Sequence, residues 1–313
     1  MYRIGIDLGG TNIAVGLVDE RHRIVTAAQL PTRAELGPEP LLDDIARCVR
    51  QVLRDAGVTA ADCGGAGLGA PGTCDGAAGI VRNAHNLHWT ELPVCEMLRQ
   101  RLGMPVYLAN DADCAALGEA VAGAAVGRSS ALLITLGTGV GGGLVIDGRI
   151  HAGFGGRGGE FGHMCIAVDG ERCSCGQRGC WEAYASASAL IRQAAAAAAA
   201  APASLLNQCA PPDGRAIYAA AAAGDAAARA VTERYAAWVG VGLVNLINAL
   251  YPEIVLIGGG ISGAGEALLT PLRRYVREHF FLADPALVPE LGCAALGGDA
   301  GIIGAAALVP SAL

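Results

Sequence analysis

One local pattern recurs along this chain and limits the folds open to it. Ile4 to Asp7 is a short apolar run, Gly9-Gly10-Thr11 interrupts it, and Ala14 to Val18 resumes it. Two short apolar runs joined by a glycine-rich break read as a hairpin. Ala131 to Ile146 repeats the order: an apolar run to Leu136, the break Gly137-Thr138-Gly139, then Val140 onward. Both units close on an aspartate, Asp19 and Asp147. Their identity is low, and what recurs is strand, glycine/threonine turn, strand, aspartate. One such unit in each half predicts a duplicated α/β fold with two facing phosphate-type loops.

Helical stretches fall between and after these units. Leu41 to Ala56 carries apolar residues at helical spacing. Asp113 to Ala125 follows Asn110 and Asp111, both natural N-cap types. Ser186 to Ala201 ends in a polyalanine run, a good helix former with no chemistry of its own. Asp225 to Leu250 is a long helix, followed by a strand at Ile254 to Ile257 and the turn Gly258-Gly259-Gly260. Gly301 to Leu308 reads as a short terminal helix. At 313 residues the chain suits two domains, and their expected extents are 1–115 with 301–313, and 116–300.

Composition removes several chemistries. All 22 basic residues are arginine. A chain without lysine has no Walker-type phosphate-loop lysine, no protein-kinase lysine and no Schiff base. The net charge of −7 argues against nucleic acid and anionic membrane as partners. The start, Met1-Tyr2-Arg3, has no signal-peptide apolar region. The uncharged run Tyr235 to Pro252 carries Asn245 and Asn248 and reads as a buried helix, not a span. A cytoplasmic protein is expected, with its 11 cysteines as thiols or metal ligands.

Four groups of residues carry candidate chemistry. Glycine with threonine after a strand offers backbone N–H groups and a hydroxyl to an anion, and Asp7 at a strand end suits a hydrated Mg²⁺. Either loop alone is equally a plain tight hairpin; two of them with the 258–260 turn strengthen the nucleotide reading. Cys173, Cys175 and Cys180 form C-x-C-x₄-C, with His163 upstream, a donor set for a closed tetrahedral Zn²⁺. Its competitor is buried thiols acting as small hydrophobes, the reading given to Cys48, Cys63, Cys114 and Cys293. Arg172, Gln177 and Arg178 make the loop too polar for that. Asn110-Asp111 ends the apolar strand Pro105 to Ala109 and opens a helix, the end of an α/β sheet where ligands bind. The helix dipole favours an ionised Asp111, able to accept a proton from an attacking hydroxyl; taken alone, Asp111 is an N-cap. Glu160 and Glu182 flank the cysteine loop and suit hydroxyl recognition, or are plain surface charge.

Together these motifs resemble the ROK family (repressors, open reading frames, kinases) of the actin-like ATPase fold. Asp7-Leu8-Gly9-Gly10-Thr11 and Leu136 to Gly143 resemble its two phosphate motifs. Asn110-Asp111-Ala112 is similar to its catalytic motif. Gly159-Glu160-Phe161-Gly162-His163 and Cys173 to Glu182 resemble its sugar and zinc motifs, and Pro252 to Gly260 its adenosine-side segment. The likeness spans essentially the whole chain and is nearest to bacterial ATP-dependent glucokinases.

The resemblance implies a ribonuclease H-like pair of α/β domains with a cleft between them, the second carrying a zinc loop at 163–182. It implies phosphate transfer from ATP to a sugar 6-hydroxyl with Asp111 as general base. Asn86, Asn110, Asp111, Glu160, His163 and Glu182 would bind sugar. Asp7, Gly9, Gly10, Thr11, Asn12, Gly137, Thr138, Gly139, Gly258, Gly259 and Gly260 would bind ATP with Mg²⁺. His163, Cys173, Cys175 and Cys180 would hold structural Zn²⁺. A homodimer or homotetramer in carbohydrate metabolism is implied as well. There are departures. Asn12 stands where many members carry lysine, and His85 stands where a proline usually precedes the Asn-Leu pair. N-acetylmannosamine, fructose or allose are alternative acceptors to glucose. A sugar-sensing protein without catalysis is the alternative of another class; a repressor needs a DNA-binding domain, and only six residues precede Asp7. An actin-type filament is a third, which leaves the cysteine loop without a role.

Overall fold

Short, strongly apolar segments broken by glycine set up the chain's first sheet. In a computed structural model that describes residues 1–208, 213–282 and 284–310, β1 (Tyr2–Leu8) and β2 (Asn12–Val18) pair antiparallel across the predicted Gly9–Thr11 turn. β3 (Ile24–Pro31) extends the meander, its alternating exposure marking an edge strand. Then α1 (Pro38–Ala56) crosses over: Pro38 sits at its first position, and Gly57 ends it in the left-handed region at φ 66°. Its apolar stripe of Leu41, Leu42, Ile45, Val49 and Val52 is buried with Ile4, Ile6 and Leu8 of β1 in one core. Each such side chain contributes about 1.5–3 kcal/mol.

β4 (Cys63–Ala70) lies parallel to β1. β5 (Thr73–Asp75), β6 (Ile80–Ala84) and β7 (Trp89–Leu92) form a small antiparallel sheet, and α2 (Val94–Leu102) leads to β8 (Val106–Asn110). The first sheet has the order β3-β2-β1-β4-β8. α3 (Asp111–Ala122) follows at once, capped by Asn110.

The second glycine unit is β9 (Ser130–Leu136) and β10 (Val140–Ile146), followed by β11 (Arg149–Ile150). After the cysteine loop come α4 (Glu182–Ala185), α5 (Ala187–Ala200), α6 (Gly214–Ala222) and α7 (Ala226–Leu250). β12 (Ile254–Gly258), α8 (Glu266–His279) and β13 (Glu290–Cys293) complete the second sheet, of order β11-β10-β9-β12-β13. α9 (Ala300–Ala307) ends the described chain. Among the described residues no helix is long and apolar enough to cross a membrane. Cys48, Cys63 and Cys114 are buried as small apolar residues, whereas Cys293 is half-buried.

Two units result. The first comprises Met1–Ala131, Gly143–Gly159 and Ala295–Leu313, of which residues 311–313 lie outside the described residues. The second comprises Leu132–Gly142 and Glu160–Ala294, within which 209–212 and 283 are likewise outside. In the first unit α9 lies directly on glycines. A Cβ on Gly5 or Gly67 would overlap the carbonyls of Ile302 or Ala305, and one on Gly304 would overlap that of Cys114. Only hydrogen at these positions permits the approach.

Candidate active site

In the first unit, sheet register gathers the predicted carboxylates. Asp7 of β1 pairs with Gly69 of β4, and Ala70 pairs with Asn110 of β8, so the strand ends carrying Asp7 and Asn110-Asp111 are level. Asn110 caps α3: its Oδ1 accepts from Ala112 N at 2.8 Å and Asp113 N at 3.3 Å, and its Nδ2 donates to Gly72 O at 3.0 Å. Such a cap is worth about 1 kcal/mol. Asp111 accepts from Ala112 N at 2.9 Å. Burial nevertheless raises its carboxyl above the ordinary range, against that N–H. The helix-dipole argument for a readily ionised Asp111 is thus outweighed by desolvation. Burial, then the neighbouring Asp111, push Asp7 up to about 6. Two carboxylates that oppose each other's ionisation fit a site that takes a cation.

The first glycine turn sits beside them. Gly9 N donates to Asn12 O at 2.9 Å, Thr32 Oγ1 to Gly9 O at 2.7 Å, and Thr32 N to Thr11 O at 2.8 Å. Gly10 faces Asn86, whose Nδ2 would lie 3.0 Å from a Cβ there. Asp7, Gly9 to Asn12, Asn86, Asn110 and Asp111 thus belong to one unit. Gly10, Thr11, Asn12 and Asn86 are exposed. Thr32 escaped the sequence reading, since nothing in the pattern marks a threonine after an edge strand as support for a distant turn. His85 is exposed, its Nε2 3.1 Å from Asn83 Nδ2.

In the second unit the cysteine loop folds back on itself. Cys173 N donates to Gln177 O at 2.9 Å and Gly176 N to Cys173 O at 3.0 Å, a tight turn that brings Cys175 and Cys180 Sγ to 3.7 Å. His163 Nδ1 lies 3.7 Å from Cys173 Sγ. One donor atom from each of His163, Cys173, Cys175 and Cys180 falls within 4.8 Å of the others. Burial and the adjoining thiols push Cys180 up to about 12, while the Gln177 N–H pulls Cys175 down. Three sulfurs and one imidazole nitrogen crowded in this way fit a tetrahedral cation. The loop is anchored by Trp181, fully buried, whose Nε1 donates to Trp238 O at 2.8 Å. The indole lies so close to α7 that only a glycine, Gly242, fits beneath it.

Glu182 is half-buried, its Oε2 accepting from Val140 N at 3.1 Å and its Oε1 from Ser174 Oγ at 3.1 Å. Glu160 is exposed, and its carbonyl accepts from His163 N at 3.1 Å. The third glycine turn packs on the second: a Cβ on Gly259, which has φ 80°, would come 2.5 Å from Leu136 O. Beside Gly260 opens a cavity of about 180 Å³ lined by Gly214, Arg215, Tyr218, Ile261 and Gly263. Tyr218 Oη is buried without a hydrogen-bond partner among the described residues. Arg215 and Tyr218 were also missed, as an Arg and a Tyr near a helix start carry no motif.

A family model, ROK family, matches residues 3–312. The chain belongs to the ROK family. ROK relatives of two kinds match it. A glucokinase of Halalkalibacterium halodurans is 38% identical over 98% of this chain and 94% of its own length. The crystal structure of a ROK family glucokinase from Streptomyces griseus, in complex with glucose and AMPPNP, covers 99% of both chains at 37% identity with a TM-score of 0.82. The crystal structure of a ROK family transcriptional regulator superimposes with a TM-score of 0.86 at 27% identity, over 98% of this chain but 77% of its own. The fold is therefore the actin-like ATPase fold of the ROK sugar kinases.

Proposed function

We propose that this ROK protein is an ATP-dependent glucokinase that transfers the γ-phosphate of ATP to the 6-hydroxyl of glucose. The observation that carries this is the full-length likeness to glucokinases, at 36–38% identity with their sequences. Regulators match over a smaller share of their length.

Asp111 is the proposed general base. Its carboxylate takes the proton of the 6-hydroxyl as that oxygen attacks phosphorus, and a carboxyl raised by burial is a stronger base than an exposed one. Asn86, Asn110, Glu160, His163 and Glu182 are read as binding ring hydroxyls. Asn110 already accepts two backbone N–H groups at Oδ1 and donates one N–H to backbone. The turns at Gly9 to Asn12 and Gly137 to Gly139 are read as phosphate contacts through peptide N–H groups. Gly258 to Gly260, with the Tyr218 cavity, is read as the adenosine side. Asp7 would hold Mg²⁺, which when bound neutralises charge on the phosphates. His163, Cys173, Cys175 and Cys180 would hold Zn²⁺ as a structural crosslink, with no coordination position left for substrate. Residues 1–115 with 301–313, and 116–300, are kept as the proposed functional domains. The enzyme is read as cytoplasmic, a homodimer or homotetramer, at the entry of sugar into glycolysis.

A sugar panel at saturating ATP and Mg²⁺, read by coupled ADP release, tests this. Glucose should give the highest kcat/KM. 2-Deoxyglucose, fructose and N-acetylmannosamine should be poorer, the N-acetyl sugar most of all, because each leaves a hydroxyl acceptor unpaired or displaced, at about 1–3 kcal/mol. N-acetylmannosamine matching glucose would overturn the glucose assignment. Phosphorylation of none of the sugars in the panel would overturn the kinase.

A further inference from the structure

The segment that leaves the cysteine loop returns to the second glycine turn three times. Glu182 Oε2 accepts from Val140 N at 3.1 Å. Ala187 N, at the start of α5, donates to Gly137 O at 2.8 Å, and Ser188 Oγ donates to Thr138 O at 3.0 Å. The turn closes on itself through Gly137 N and Gly139 O at 3.0 Å. Residues 182 to 188 therefore grip the turn's carbonyls and its last N–H, and Gly139 is pressed so close to Glu182 that a Cβ would overlap Oε2.

The other oxygen of Glu182 faces the cysteine loop. Oε1 accepts from Ser174 Oγ at 3.1 Å and lies 3.6 Å from Cys173 Sγ. Ser174 sits between two of the four clustered donors. Ser174 Oγ is thus a tether between the loop and the carboxylate, beside the longer Cys173 contact. A cation held by the cluster would crosslink the loop and so fix Ser174 against Glu182.

We infer that Glu182 is a positioning residue for the second glycine turn, through which a filled His163–Cys173–Cys175–Cys180 cluster sets the affinity for ATP independently of sugar. This rests on the kinase reading of that turn as a phosphate contact. It assigns Glu182 a task separate from hydroxyl recognition, and it gives Ser174 a role that no substrate contact requires.

The test is calorimetric titration of the zinc-loaded full chain with AMPPNP and Mg²⁺, without sugar, on wild type, Ser174→Ala, Glu182→Gln and Glu182→Ala, with zinc content measured in each. Ser174→Ala removes one exposed hydroxyl and should fold. It should weaken AMPPNP about three- to tenfold at unchanged zinc content, the range one lost hydrogen bond gives. KM for ATP should rise in step while kcat stays within about twofold. Glu182→Ala should lose more than about tenfold, and Glu182→Gln, which keeps one acceptor for Val140 N, should fall between. Amide exchange over residues 137–141 should quicken in chelated protein. Wild-type affinity in all three variants, with wild type binding AMPPNP, overturns the inference and leaves the kinase intact. No AMPPNP binding by wild type overturns both.

Discussion

The two glycine turns have the same local grammar and different supports. The first is held from behind by Thr32, at the end of the strand that already flanks β2, so it inherits the rigidity of a five-stranded sheet. The second is held by Glu182, Ala187 and Ser188, which follow a loop whose Ser174, Cys175, Gly176 and Gln177 are all exposed. Such a loop has little apolar surface to bury, and the Zn²⁺ proposed for it would act as its crosslink. Sheet-supported and loop-supported turns should therefore fail for different reasons.

The sharpest separation comes from Asp111→Asn. It should lower kcat about 10²–10⁴-fold, as general-base loss does, with zinc content and AMPPNP affinity unchanged. Steady-state rates beside calorimetry measure both, and a variant keeping a tenth of wild-type kcat would remove Asp111 as base. Cys175→Ser should do the reverse. Zinc is lost, amides in residues 163–182 and 137–141 exchange about tenfold faster or more, and KM for sugar rises, while residues 8–12 exchange as before. Equal loosening of both turns would break the comparison.

Asp7→Asn probes strain on the sheet side. Burial raises the Asp7 carboxyl to about 6, so folding favours its protonated form. The cost is absent below about pH 4, grows as pH rises, and is complete above about pH 6, where it reaches about 3 kcal/mol. The variant should therefore melt higher than wild type at pH 8 in metal-free buffer and equally at pH 4, and be inactive at both. Identical melts at pH 8 would show the charge to be relieved. The smallest effect contrasts two alanines. Gly139→Ala drives a methyl into Glu182 and should cost about 1–3 kcal/mol in ATP affinity, whereas Gly10→Ala only nudges Asn86 and should cost less. KM for ATP in the two variants decides it.

Much of this was legible in the sequence, because glycine and caps punctuate it. Both hairpins, α1, α3, α5, α7 and α9 lie within a few residues of their expected bounds, fixed by Gly57, Asn110, Ser186 and Asp225. The four clustered donors were readable from spacing, three cysteines in one short loop with His163 ten residues upstream of Cys173. The small β5–β7 sheet was not, as its strands have three to five residues and no long alternation. Contacts made by tertiary approach left no trace either: Thr32 on Gly9, Ser174 on Glu182, and Tyr218 beside Gly260 join residues whose order in the chain says nothing of their meeting. Burial raises the Asp111 carboxyl against the pull of its local N–H, and that burial is not readable from the cap motif.

The glycine-mediated seat of α9 has a consequence for how the protein is made. Gly5 and Gly67, in strands near the start, meet Ile302 and Ala305 near the end. The first unit thus lacks part of its interior until residues 300–307 have been synthesised, after the entire second unit. A ribosome adding 5–20 residues per second would hold β1 and β4 with one face uncovered for roughly 10–50 s while the intervening chain emerges. During that interval the second unit can fold and the first cannot finish. The nascent chain is then most exposed to mispairing at its oldest strands, and slowing translation ahead of α9 should lower the soluble yield without altering the finished molecule.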